Sequence, residues 1–466
     1  MPSRQTAGAI GGRAMHKGSI TARVAAHIAA AATAPLPGEV ALRARLHLLD
    51  SLAAIVSGAR LKAGRLGAAF VAGQGGREEA CLPGTGIVTT AVNAAFANAM
   101  AAHGDETDDS HLGGRFHPGC AVVPAALAVA EARGLGGAAL LRAVTLGYDI
   151  GARATLALGF SGPRSGTHST HCLGANFGAA AAAGALAGLD ARQCEYLLSY
   201  ATQQASGIAY WQRDSEHVEK AFDFGGMGAR NGTFAALFVA SGASGVPGSL
   251  TGDFSYLSAF AEDARPEALA EGLGSRYEIL AASIKKWCVG SPIQAALDSL
   301  TALMEAHALE PADVAKLRAI TPDDRFTIVN DRDMPDVCLQ HLLALTLVDG
   351  RLSFASSHDH QRMQDPAVLA LRRRIEAIPS AELTAARPAR QAIIEIDCAD
   401  GRRLSHRTRA VLGTPDNPMS EAQVEEKARD LMAPVLGAGQ TEQLIAALRG
   451  LETLDDMRAL RPLLQA

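Results

Sequence analysis

Between residues 173 and 189 the chain reads LGANFGAAAAAGALAGL. A helix of this composition has almost no side-chain volume, so it gains contact only if its backbone lies against a neighbour at close range. Small faces of that kind fit a tightly packed helical bundle. Two further segments, Ala91–Ala102 and Cys120–Arg133, are too poor in polar residues for surface helices and are expected in the interior. Gly and Asn interrupt the apolar runs, and none reaches the ~20 residues of a membrane span. The pattern predicts a large, soluble, all-helical body.

The helical pattern runs from Ala22 to about Leu158. Glu39–Ser57 sets Leu42, Leu46, Leu49, Ala53 and Val56 on one side, behind a Pro37-Gly38 start. Gly136–Leu158 carries Tyr148, Asp149 and Arg153 on an otherwise apolar run. Gly162–Cys172 reads as a polar loop, Asp190–Gly207 as a helix, Tyr210–Gly228 as irregular, and Arg230–Ser241 as a helix again. Composition shifts after about Pro266. Leu317–Val329 and Ala392–Cys398 carry β-branched runs, and the second pairs with Arg403–Val411 across Ala399-Asp400-Gly401, a hairpin signal. Helices Pro292–Ala306 and Pro335–Val348 lie between the strands. At 466 residues the chain exceeds one ordinary core. We divide it into a disordered tail (1–20), a helical domain (21–275), an α+β domain (276–411) and C-terminal helices (412–466) that return to the first domain. The expected class is mainly α with a smaller α+β part inserted before the C-terminal helices.

A formal net charge of −5 gives no broad attraction to nucleic acid or to an anionic membrane, so an anionic ligand needs a local basic site. The seven cysteines are scattered, with no CxxC pair and no metal spacing, which points to reduced thiols in the cytoplasm. No P-loop, GxGxxG or GxSxG occurs in its required context.

The chemistry concentrates in His103-Gly104-Asp105-Glu106-Thr107-Asp108-Asp109-Ser110-His111, followed by Arg115-Phe116-His117-Pro118-Gly119. Fifteen residues, 103–117, hold four carboxylates, three histidines, an arginine and two hydroxyls between two apolar helices. Acids this close repel one another, so some carboxyl groups titrate high unless cations or hydrogen bonds compensate. Groups tuned in that way suit proton transfer near neutral pH. The plainer alternative is a solvated acidic turn capping the helix that begins near Pro118.

The run HGDETDDSH…HPG resembles the H-x-x-(D/E)-x-D-D-(T/S)…H-P signature of the MmgE/PrpD family, which includes 2-methylcitrate dehydratase, cis-aconitate decarboxylase and iminodisuccinate epimerase. The resemblance runs from about residue 20 to the C-terminus. It implies a helical domain completed by the C-terminal tail, an α+β lid, an active site between them, and a homodimer. It also implies catalytic roles for Glu106, Ser110 and His117, with Asp109 binding substrate beside them. Thr167-His168-Ser169-Thr170 resembles the family's H-(S/P)-T element, which makes His168 catalytic, with His171 about one helical turn on. Glu219-Lys220 ahead of Ala229-Arg230-Asn231-Gly232 resembles K…GxAARNG, which makes Lys220 catalytic, although Lys220 is one residue out of place and Phe224 stands where a histidine is usual. Lys285-Lys286-Trp287-Cys288…Gln294 resembles K-x-(Y/F)-P-C-C…H. It supplies Lys285 and Lys286 as substrate cations, with Gln294 in place of the histidine and Cys288 in place of the proline. His341 falls where decarboxylases have a tyrosine, and is expected at the substrate.

The expected function is a cofactor-independent lyase or isomerase that abstracts a proton next to a carboxylate of a small polycarboxylate or hydroxy acid. A hydro-lyase of the 2-methylcitrate dehydratase kind comes first, with an epimerase or decarboxylase of the same family as the alternative. The resemblance implies no metal and no cofactor. Rivals from other classes are a metal-dependent hydrolase built on His103, Glu106, Asp108 and His117, and a non-catalytic helical scaffold.

Overall fold

The computed structural model describes residues 18–162 and 166–466. Most of the expected tail, and residues 163–165 of the Gly162–Cys172 loop, lie outside the described residues. The Gly/Ala stretch forms α7 (Thr170–Leu186), wrapped by α5 (Gly119–Arg133), α6 (Gly137–Leu156), α8 (Ala191–Gln203) and α9 (Met227–Ala240). Glycine meets glycine where α6 crosses α7. A Cβ built on Gly178 would stand 2.7 Å from the Gly147 carbonyl oxygen, and one on Gly151 would stand 2.7 Å from that of Gly174. On the opposite flank a Cβ on Gly232 of α9 would lie 2.4 Å from the Ala180 nitrogen. The backbones therefore touch, and the core forms around them.

Ahead of this body run α1 (Ile20–Ala31), α2 (Gly38–Gly58), α3 (Lys62–Ala72) and α4 (Ala91–Ala102), with the short pair β1 (Ala80–Cys81) and β2 (Val88–Thr89) before α4. On α2, Leu46, Leu49, Ala53 and Val56 are buried as expected. Leu42 is 38% exposed, because the helix enters the core only from its middle onward. The stretch 210–228 is more regular than expected: a π-helical turn over Phe222–Gly226 runs directly into α9.

A second apolar core extends from Trp287 to Val411. Its sheet has the order β6-β5-β7-β8: β5 (Val314–Pro322) pairs parallel with β6 (Ile375–Ser380) and antiparallel with β7 (Ala392–Cys398), which forms the expected hairpin with β8 (Arg403–Thr408). Gly401 turns that hairpin at φ +91°. The strand expected over 317–329 stops at Pro322, where the chain turns into a 3-10 helix, and β6 had no counterpart in the expectation. Helices α10 (Gln294–His307) and α11 (Leu339–Asp349) contribute to the same core. The chain then returns through α12 (Glu421–Leu436), against α2, and α13 (Ala438–Arg449). The fold is mainly α with a smaller α+β part. Among the described residues no helix is long and apolar enough to cross a membrane.

Two small features join these parts at the acidic loop. Strand β3 (Ser110–His111) pairs antiparallel with β4 (Ala282–Ser283), bringing Lys285 beside the carboxylates. From α12, Lys427 donates to Asp50 Oδ1 at 2.6 Å and to the Thr107 carbonyl at 3.0 Å.

Candidate active site

Helix α4 is alanine-rich and buried through most of its length, so the chain leaves it inside the protein, and every residue from His103 to His111 is buried. The loop is therefore no solvated turn. Each of its four carboxylates has to be matched by the protein. Asp105 accepts from Thr107 N at 2.8 Å and Thr107 Oγ1 at 2.7 Å, and pairs with His358 Nε2 at 2.8 Å. Glu106 meets the Lys220 ammonium through Oε1 and that of Lys285 at 3.7 Å through Oε2. Lys285 also donates to the Glu106 carbonyl at 2.6 Å. Asp108 lies 3.0 Å from His103 Nδ1, 3.1 Å from His117 Nδ1 and 3.7 Å from Lys285 Nζ. Asp109 turns the other way. It accepts from Tyr148 Oη at 2.5 Å and Gly119 N at 2.9 Å and lies 2.6 Å from His47 Nδ1, so it caps α5 from within the core.

The electrostatics follow from these partners. Burial pushes the Glu106 carboxyl up, but Lys220 and Lys285 outweigh it and hold it well below the usual carboxylate range. Burial likewise pushes Asp108 up, but His103 and His117 outweigh it and hold it well below the usual carboxylate range. At His117 burial prevails over the attraction of Asp108 and, with Lys285 repelling a further positive charge, lowers its pKa. Burial and neighbouring cationic partners depress His171 far below its ordinary value and His217 to about 3.

An aromatic wall closes this group. The π-helical turn carries Phe224 inward, and Gly225 and Gly226 let it lie on α4: a Cβ on Gly225 would be 2.9 Å from the Ala99 carbonyl oxygen. His171 stacks on Phe224 at 3.6 Å and His103 at 4.3 Å, while His117 lies 5.2 Å away and Trp211 meets the ring edge-on at 4.7 Å. Lys220 stands over the Phe224 and Trp211 rings. His217, Lys220 and Phe224, spaced three and four apart, converge on one cluster. That spacing was a signal in the sequence, although His217 went unremarked there.

Of the residues expected from sequence, the fold gathers Glu106, His117, Lys220 and Lys285. Ser110, at β3, borders a cavity that it shares with Lys285. Gln294 lines the same cavity, and the others lie elsewhere. His168 forms an isolated bridge with Ile208 and its ring meets Phe260; its neighbour one turn on, His171, is the histidine that reaches His117, at 5.4 Å between ring centroids. Lys286 rests over the Trp287 ring at 4.3 Å. Gln294 clamps its own loop, accepting from Trp287 N at 3.1 Å and donating to the carbonyls of Trp287 at 2.7 Å and Val289 at 3.0 Å. His341 is fully buried in α11, where burial, with Arg372 and Arg362, lowers it to about 4. Asp109 is wholly engaged inside the protein, as described above.

Ligand atoms of His103, Asp108 and His117 lie within 4.8 Å of one another and have the donor types for a metal ion. The Lys285 ammonium already stands against the same Asp108 oxygen, so a cation there would meet another cation. Glu106, the fourth ligand of the rival metal-dependent hydrolase, is bound to the two lysines instead.

Residues 22–269 match the family model of the MmgE/PrpD N-terminal domain, and residues 287–453 that of the MmgE/PrpD C-terminal domain. The chain is similar to "Cis-aconitate decarboxylase" of Aspergillus terreus, 25% identical over 490 residues that cover 96% of each chain. It is also similar to "Cis-aconitate decarboxylase-like protein oryM" of Aspergillus oryzae, 23% identical over 484 residues covering 96% of this chain and 98% of the other.

Proposed function

The chain belongs to the MmgE/PrpD family, and from that premise we propose that it is a lyase that moves a proton next to a carboxylate of a small organic acid, without a metal or other cofactor. The observation that carries this reading is the meeting of two ammonium groups, Lys220 and Lys285, at one buried carboxylate, Glu106, beside His117. Ammonium groups held away from water stabilise the negative charge that builds on a substrate carboxylate as its neighbouring carbon loses a proton. With its Nδ1 directed at Asp108, His117 keeps Nε2 as the proton acceptor, and its lowered pKa leaves it neutral at pH 7. The electron pair then expels hydroxide, which leaves as water once protonated.

Decarboxylation is the second reading, favoured by the names of the relatives. There the bond to a carboxyl carbon breaks, carbon dioxide leaves, and a protonated group of the same cluster delivers the proton to the carbanion.

The charge balance bears on the substrate. Lys220 and Lys285 face Glu106 and Asp108 one for one, and Phe224 stands where relatives have a histidine, so a trianion would find no excess of positive charge among these groups. We therefore expect an acid less charged than 2-methylcitrate to be preferred. Turnover of 2-methylcitrate, citrate, cis-aconitate and a panel of mono- and dicarboxylic hydroxy acids, measured after exhaustive EDTA treatment, tests both points. Metal-independent turnover of a less charged acid is expected. Activity that vanishes with EDTA and returns with zinc, iron or magnesium would overturn the metal-free mechanism, and 2-methylcitrate leading the panel by a wide margin would overturn the substrate preference.

A further inference from the structure

Lys285 also borders a cavity of about 290 Å³, at the small end of the range for small-molecule sites. Ser110 and Gln294 line it, and so does Arg390, in the loop just before β7. Arg390 continues into a second cavity of about 100 Å³ that it shares with Arg325. The loop is fixed rather than loose: Gln391 Nε2 donates to the Pro388 carbonyl at 2.9 Å, and Gln391 Oε1 accepts from Arg407 Nε at 2.9 Å.

Three features set Arg390 apart. Its backbone is left-handed, φ +65°, a conformation that a side chain of this size adopts only when its surroundings impose it. No carboxylate among the described residues forms an ion pair with it, whereas its neighbour Arg325 has Asp324 at 3.5 Å. Burial first, and then repulsion from Arg325, pull its guanidinium down to about 10, against the weaker attraction of Asp324 and Glu106. A half-buried cation that is crowded by another cation and unmatched by an anion is costly to keep unless a ligand supplies the anion.

We propose that Arg390 determines substrate specificity: its guanidinium receives a second carboxylate of an acid whose first carboxylate lies on Lys285, so that the site prefers an acid with two or more carboxylates to a monocarboxylate. The planar fork of a guanidinium suits a terminal carboxylate, which it binds through two parallel hydrogen bonds. The inference rests on the reading of Lys285 as a substrate cation given above.

Calorimetric titration of succinate, tricarballylate and butyrate into the full-length protein tests it, with wild type compared to Arg390→Gln, Arg390→Lys and Lys285→Gln. Arg390→Gln is expected to weaken succinate and tricarballylate about ten- to a hundredfold, the equivalent of one charge-assisted hydrogen bond or more, and to leave butyrate within about threefold. Arg390→Lys should recover part of the loss. Should Arg390→Gln fail to fold, Arg390→Gly removes the guanidinium at a residue that tolerates the left-handed backbone. Equal affinity of wild type and the neutral variant for all three acids, with Lys285→Gln impaired for all three, overturns the role of Arg390 and leaves the lysine site standing. If wild type binds none of the acids, both fall.

Discussion

Glu106 faces two ammonium groups and Asp108 two imidazoles, although only one residue separates them. Asp108 orients His117, whereas Glu106 occupies the lysines that a substrate carboxylate would reach. His117→Ala should therefore lose ~10²-fold or more in kcat, and His168→Ala, whose ring lies against Phe260, should stay within about threefold of wild type. Near-normal kcat in the first variant would remove His117 from the mechanism. The proposed base is the neutral form of His117, whose pKa burial lowers from 6.5. kcat/KM should accordingly hold level from pH 8 down to about 6.5 and decline only on further acidification. A decline beginning above pH 7 would contradict the lowered value.

At the scale of elements, contact between helix backbones sets the architecture. Gly232 of α9 lies on Ala179 and Ala180 of α7, so Gly232→Val forces the two helices apart and should cost about 3 kcal/mol or more, measured by urea unfolding. A loss below about 1 kcal/mol would mean that α9 can shift without penalty. This part of the fold was legible in the sequence because an apolar run without side-chain volume has few ways to bury surface. The β7–β8 hairpin was legible for a similar local reason, its Ala-Asp-Gly turn. The π-helical turn at 222–226 was not, since its extra residue is fitted to the surface of α4, which lies far away in sequence. The strand β6 has no clean alternation of buried and exposed positions and becomes a strand by pairing with β5. The acidic loop announced chemistry, but the side to which each acid turns depends on partners elsewhere: His47 and Tyr148 draw Asp109 inward, and Lys220 and Lys285 hold Glu106 at the site. The preference of the cluster for His171 over His168 is a matter of helical phase that a loop motif does not fix.

At the scale of the whole molecule, the acidic loop is where the helical body, the α+β part and the C-terminal helices meet. Lys427 reaches it from α12, Lys285 follows β4, and His358 pairs with Asp105. Burial disfavours the charged form of His358, but Asp105 outweighs it and raises the pKa from 6.5 to about 9. The folded protein therefore holds this proton more tightly than the unfolded chain. The resulting stabilisation is fully present below pH 6.5 and is lost as pH rises through about 9. It amounts to roughly 3 kcal/mol. The melting temperature should fall between pH 6.5 and 9.5, and His358→Gln should flatten that fall; an unchanged slope in the variant would show that the pair does not hold the parts together.

Proton transfer next to a substrate carboxylate, with His117 as the base, is the step on which the proposed function depends. It is tested most directly by incubating the protein in D₂O with the panel of acids and following their C–H signals by NMR. At least one acid is expected to lose the C–H signal on the carbon next to a carboxylate, by exchange for deuterium or by elimination, or to gain deuterium there on decarboxylation, and His117→Ala is expected to slow this by ~10²-fold or more. An acid consumed with no C–H lost and no deuterium gained at such a carbon, or a reaction there that proceeds unchanged in His117→Ala, would contradict it.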